Sequence, residues 1–211
     1  MTLPSVYPIL DLETLEARRC DAAAAAEGLL EAGAEIVQWR DKRPPTRRAF
    51  AAADRVAALC RRSGALWILN DRADLALMLE AGLHIGQEDL PAREARRLLG
   101  SAAILGLSTH NADQLSRANE APVDYVALGP VFGTTSKLKP DPVVGVEGLR
   151  EWRKLTRMPL VAIGGITRQN ATAVFESGAD SVAVISDLYP EPCNKRAIRE
   201  RMEEWLQLSK R

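Results

Sequence analysis

The residues of this chain that could do chemistry are polar groups set at the ends of short apolar runs. Gln38, Arg40 and Lys42 alternate with Trp39 and Asp41, so on a strand the first three share one side. An arginine and a lysine entering a narrow interior need anionic partners. A structural carboxylate would serve, but two cations near one strand's C-terminal end favour an anionic ligand. Asn70-Asp71 closes another apolar run, and Asp89 follows a third in Gly86-Gln87-Glu88-Asp89. Two carboxylates on adjacent strand ends could share Mg²⁺, which takes oxygen ligands and keeps phosphate oxygens and waters. Each also has a plainer reading as a helix cap, Asp71 before Arg72 and Asp89 before Pro91. Opposite Arg40 and Lys42, the pair suits a Mg–diphosphate site.

A second anion site is written further on. Gly164-Gly165 follows the apolar run Pro159–Ile163, and Ser186 ends the run Ser181–Ser186. Glycines let backbone N–H groups come close to a ligand, and a helix starting after Ser186 would add aligned donors. Between the two sites, Thr134, Thr135, Ser136 and Lys137 offer hydroxyls and a cation suited to phosphate oxygens. Ser108 ends a run beside Thr109 and His110. His110 could serve as a general base, although a histidine at a helix start is more often a surface or capping residue. His84 reads as a satisfied core histidine, and Trp67 and Trp152 as packing residues. The sequence has no Gly-Lys-Ser/Thr phosphate loop and no His-Glu-x-x-His metal motif.

The elements that must position these groups alternate regularly. Strands are expected at 6–10, from 36, and at 66–69, 83–85, 104–107, 123–128, 159–163 and 181–186. Helices are expected at 18–31, 46–62, 73–80, 91–100, 112–119, 147–155, 170–177 and 195–208. The alanine run Ala22–Ala26 favours helix strongly. Eight strand–helix repeats close naturally into a parallel (β/α)8 TIM barrel of the α/β class, a single domain over residues 1–211. An open doubly wound sheet would carry a glycine fingerprint after its first strand, and Asp11-Leu12-Glu13 is not one. In a barrel the long loop Gly129–Gly145 falls on the face where chemistry is placed.

Composition narrows the partners. Lys plus Arg and Asp plus Glu number 28 each, so there is no basic surplus of the kind nucleic-acid-binding proteins carry. No apolar run approaches the ~20 residues that cross a membrane, and no signal peptide is apparent. Cys20, Cys60 and Cys193 show no paired spacing and read as reduced thiols of a cytoplasmic protein.

Taken in order, the motifs are specific. They are Gln-x-Arg-x-Lys at 38–42, Asn-Asp-Arg at 70–72, His-Ile-Gly-Gln-Glu-Asp at 84–89 and Gly-x-Ser-Thr-His at 106–110. Asp-Tyr-Val-Ala-Leu-Gly-Pro-Val-Phe at 124–132, Thr-Thr-Ser-Lys at 134–137, Val-Ala-Ile-Gly-Gly-Ile at 161–166 and Val-Ile-Ser at 184–186 complete them. Together they resemble the thiamine phosphate synthase family from the first strand to the last. The resemblance implies a transferase that joins hydroxymethylpyrimidine diphosphate to thiazole phosphate and releases diphosphate. It implies that Gln38, Arg40, Lys42, Asn70, Ser108 and Lys137 hold the pyrimidine diphosphate, with Arg40, Lys42, Ser108 and Lys137 serving catalysis. It further implies Asp71 and Asp89 as Mg²⁺ ligands, and Thr134, Ser136, Val161, Gly165, Ile185 and Ser186 around the thiazole phosphate.

Three departures accompany the likeness. Ser136 stands where threonine is common, and Asp187 where a small residue is usual, placing a carboxylate near an anion site. A leading helix found in some relatives is not evident, which would leave the barrel bottom open or covered by a second subunit of a homodimer. The rival readings are a thiazole tautomerase, for which His110 could move the proton, and a non-catalytic phosphate-binding barrel.

Overall fold

A computed structural model of the chain describes residues 2–134 and 141–209. These form a closed barrel of eight parallel strands, each paired with its sequence neighbours and β1 with β8. The strands are β1 (Val6–Asp11), β2 (Ile36–Arg40), β3 (Leu66–Asn70), β4 (Gly82–Ile85), β5 (Leu105–Thr109), β6 (Tyr125–Leu128), β7 (Leu160–Ile163) and β8 (Ser181–Val184). The surrounding helices are α1 (Leu12–Ala17), α2 (Ala22–Glu31), α3 (Arg47–Ser63), α4 (Ala73–Met78) and α5 (Ala92–Leu99). They continue with α6 (Ala112–Ala118), α7 (Gly145–Trp152), α8 (Ala171–Glu176) and α9 (Lys195–Leu208). Single 3₁₀ turns cover Arg153–Leu155 and Ser186–Leu188.

Period-two alternation divides the strand side chains into two cores. Tyr7, Ile9, Ile36, Ile68, Tyr125, Ala127, Val161 and Ala183 fill the barrel interior, with Leu3 packed among them. Leu10, Val37, Trp39, Leu69, Leu83, Val126, Ala162 and Val182 pack against the helix ring.

Two expectations need correcting. The interval after β1 holds two helices, not one from residue 18. Asp11 caps α1 by accepting from Thr14 N–H, and Asp21 caps α2 by accepting from Ala24 N–H, so each aspartate starts its own helix. The helix expected at 147–155 begins earlier, at Gly145, and tightens into a 3₁₀ turn after Trp152. The cysteines, distant in sequence, are not all distant in space. The Cys20 and Cys193 thiols lie within hydrogen-bonding reach of each other, and burial pushes the Cys20 thiol up to about 12. No helix among the described residues is long and apolar enough to cross a membrane.

Candidate active site

The inward positions at the C-terminal ends of the strands gather the polar residues singled out above. Register places Asp11 of β1 beside Arg40 of β2, and the Arg40 guanidinium pairs with the Asp11 carboxylate, which is 3% exposed. The sequence favoured a ligand as Arg40's partner, but the structure supplies a carboxylate first. The pairing engages one Nη of a group with five N–H donors, so it aims the guanidinium without exhausting it. Asp11 was not expected at the site, because only the register of β1 against β2 brings it to Arg40; it also caps α1.

Lys42 reaches across to β3's end and pairs with Asp71. Asp71 sits at φ +64°, a left-handed conformation that aspartate and asparagine tolerate better than most residues. Its N–H donates to the carbonyl of His84 (2.8 Å). Neither Asp71 nor Asp89 caps a helix: the cap positions of α4 and α5 are Arg72 and Pro91, and neither helix has a side-chain cap. Asp89 turns back instead to accept from Gly86 N–H (2.7 Å). The two carboxyls come within hydrogen-bonding reach of each other. Burial raises the Asp71 pKa, Lys42 draws it back, and the Asp89 neighbour raises it again. Two converging carboxylates, one of them reluctant to ionise, suit a divalent cation better than they suit water. No group of three or more acidic, histidine or cysteine side chains is placed to hold a metal ion among the described residues. Asn70 ends β3 with its Nδ2 buried and without a protein partner, a donor held ready for a ligand.

Beneath this rim runs a buried polar chain that the sequence did not reveal. Gln38 donates from Nε2 to Tyr7 Oη (3.1 Å), which lies 2.8 Å from Tyr125 Oη. Tyr125 Oη is 2.9 Å from His84 Nδ1, and His84 Nε2 is 2.8 Å from Ser108 Oγ. His84 is therefore the satisfied core histidine expected, but it stands directly under Ser108. Burial lowers its pKa to about 4, Asp89 opposing and Lys42 and His110 assisting. The unfolded chain, with an ordinary histidine pKa near ~6.5, binds the proton first on acidification. Folding stability should thus fall as pH drops from about 6.5 towards about 4 and level off below. Denaturant midpoints for wild type and His84→Gln should diverge across that window by about 3 kcal/mol at pH 4 and be parallel above pH 7. Parallel curves throughout would contradict a neutral buried ring. His110 instead donates from Nδ1 to the Gly129 carbonyl (2.7 Å) and lies 3.5 Å from Asp141, tying the loops after β5 and β6 together.

The second candidate anion site is framed by backbone. The segment after β6 crosses the glycine pair after β7: Val131 N–H donates to Ile163 O (2.8 Å) and Phe132 N–H to Gly164 O (3.0 Å). A Cβ on Gly164 would lie 2.6 Å from Pro130 Cα, and one on Gly165, at φ +62°, 2.4 Å from Gly133 O. The glycines thus serve close crossing of two chains, a need the sequence reading did not anticipate. Ile185 leads out of β8 into the 3₁₀ turn that Ser186 opens. Val161 sits lower, 1% exposed in the interior wall beside Ala127, so it shapes the barrel and does not line the mouth. Thr134 is half-buried at the end of the crossing segment. Ser136 and Lys137 lie outside the described residues. Asp187 turns away from the mouth: its carboxylate accepts from Arg168 Nε and Trp205 Nε1, both at 2.9 Å. Its charge is thereby committed to Arg168 and Arg201.

Comparison with known proteins agrees with this arrangement. The family described as Thiamine monophosphate synthase matches residues 6–188. A thiamine-phosphate synthase of Koribacter versatilis is 43% identical over 99% of this chain and 97% of its own length. Another, from Moorella thermoacetica, is 46% identical over 75% of this chain and 76% of its own. The solved thiamine phosphate pyrophosphorylase of Pyrococcus furiosus superposes with a TM-score of 0.83 at 31% identity, covering 98% of this chain and 95% of that one. A barrel with a carboxylate–cation rim on one side and a glycine-framed crossing on the other, matched over nearly its whole length, belongs to the thiamine monophosphate synthase family.

Proposed function

We propose that the chain condenses hydroxymethylpyrimidine diphosphate with thiazole phosphate, giving thiamine phosphate and diphosphate, with Mg²⁺ held by Asp71 and Asp89. The observation that carries this reading is the meeting of those two carboxyls beside Lys42, with Arg40 held by Asp11 at the neighbouring strand ends. A tautomerase would have no use for such a pair, and the turning away of Asp187 removes the main objection to a second anion site. When bound, Mg²⁺ would supply positive charge to the leaving diphosphate. The chain's own residues do the rest. Arg40, Lys42 and Lys137 bind and neutralise the diphosphate, Ser108 donates a hydrogen bond to it, and Gln38 and Asn70 orient the pyrimidine end. Gly165, Ile185 and Ser186, with Thr134 and Ser136, hold the thiazole phosphate against Gly164, and Val161 backs the pocket from below.

In the proposed order the C–O bond breaks first, its electrons leaving with diphosphate, and the thiazole nitrogen then captures the pyrimidine-methyl cation. Such a reaction asks for positioning and charge stabilisation, not for a nucleophilic side chain. Free cysteines fit work in a reducing cytoplasm. Purified protein given both substrates should form thiamine phosphate and diphosphate in equal amounts, dependent on Mg²⁺ and abolished by chelation. Lys137→Ala should lower kcat by about 10²-fold. Absence of product from a folded protein would refute the assignment.

A further inference from the structure

The buried chain from Gln38 to Ser108 has a direction, and the direction decides what Ser108 can do. An amide nitrogen only donates. With Tyr7 Oη accepting from Gln38 Nε2, the one arrangement that leaves no donor of the chain unpaired turns the Tyr7 proton to Tyr125, 2.8 Å away. Tyr125 then sends its own proton to His84 Nδ1. A neutral imidazole accepting at Nδ1 carries its hydrogen on Nε2, which donates to Ser108 Oγ. The serine oxygen is thus occupied from below, and its own proton is left to point to the mouth. The reverse polarity, with His84 Nε2 bare, would make Ser108 a donor into the protein and prime its oxygen as a nucleophile. The fold goes to some length to build this chain. Gly106 lies on the strand next to Tyr125, and a Cβ there would stand 2.1 Å from Tyr125 Cζ and 2.4 Å from its hydroxyl. Only glycine lets the ring reach the barrel centre.

We infer that Tyr7, Tyr125 and His84 are positioning residues that fix Ser108 as a one-way hydrogen-bond donor toward the diphosphate-bearing substrate. This rests on the reaction proposed above, in which a donated hydrogen bond strengthens as negative charge gathers on the departing diphosphate. It also bars Ser108 from covalent catalysis, because the histidine beneath it offers a proton and not a lone pair.

The chain has two histidines, so ¹⁵N spectra of the labelled full-length protein are readily assigned, with His84→Gln identifying its signals. The expected spectrum at neutral pH shows His84 as a single Nε2–H tautomer. An Nδ1–H tautomer, or an equal mixture, overturns the inference. Tyr125→Phe removes the proton aimed at Nδ1 and should release the ring to a tautomer mixture. It should lower kcat about 10-fold while KM for the pyrimidine diphosphate changes by less than about 3-fold. Unchanged kcat in that variant, with the tautomer released, would equally overturn the positioning role. An Nε2–H tautomer in a wild-type protein that makes no thiamine phosphate would refute the assigned reaction, and with it any role of the chain in that reaction, while leaving its polarity standing.

Discussion

Asp71→Asn and Asp89→Asn are each expected to lower kcat/KM by about 10²- to 10³-fold, with the Mg²⁺ concentration for half-maximal rate rising in step. The fold should survive both. Asparagine accepts the φ of +64° at position 71 as readily as aspartate. Lys42, whose side chain is 53% exposed, loses little when its partner becomes neutral. At position 89 the amide oxygen can still accept from Gly86 N–H. Thermal stability should therefore stay near wild type, and Asp71→Asn should if anything be more stable at neutral pH. The reason is sign: burial and Asp89 hold the Asp71 carboxyl above its ordinary range, so ionising it costs the folded state, and the neutral amide removes that cost. Full activity and an unaltered Mg²⁺ response in both variants would remove the proposed metal site.

Gly165→Ala should injure the other half of the mouth. The new methyl group would lie 2.4 Å from Gly133 O and 2.8 Å from Phe132 Cβ, on a backbone at φ +62°. Strain of the left-handed conformation together with the overlap should cost about 2–4 kcal/mol, read as a lowered denaturation midpoint. The displaced crossing carries Thr134 with it, so KM for thiazole phosphate should rise at least 10-fold while the Mg²⁺ dependence stays put. Wild-type stability and KM would show that the close crossing is dispensable. Opposite responses of the two substrates in the Asp71 and Gly165 variants would establish two half-sites in one mouth.

The barrel and most of the rim were legible because their signals are local. Alternation at 38–42 sends Gln38 and Arg40 inward while Trp39 packs outward, and apolar runs ending in Asn70, Ser108 and Gly164 mark strand ends. The missed features are pairings made across the barrel. Tyr7 and Tyr125 are 118 residues apart, and nothing near either in sequence says that their hydroxyls meet. Nothing near Asp11 in sequence marks it, and only the β1–β2 register shows it serving Arg40 while it caps α1. Conversely, Asp71 and Asp89 looked equally like caps, and the backbone geometry that frees them is invisible in their identities. Asp187 raised a concern about charge that only the placement of Arg168, Arg201 and Trp205 could answer.

The crossing after β6 has a counterpart at the far end of the same loop. Val144 N–H donates to Pro130 O (2.8 Å) and Gly145 N–H to Val131 O (3.0 Å), so the strand leaving the barrel and the helix returning to it are clasped at a common neck. The two ends of the connection are thus held together by backbone bonds alone, and the entropy of closing a loop grows only slowly with its length beyond such a neck. A change in the length of the connection should therefore leave the stability of the barrel nearly unchanged.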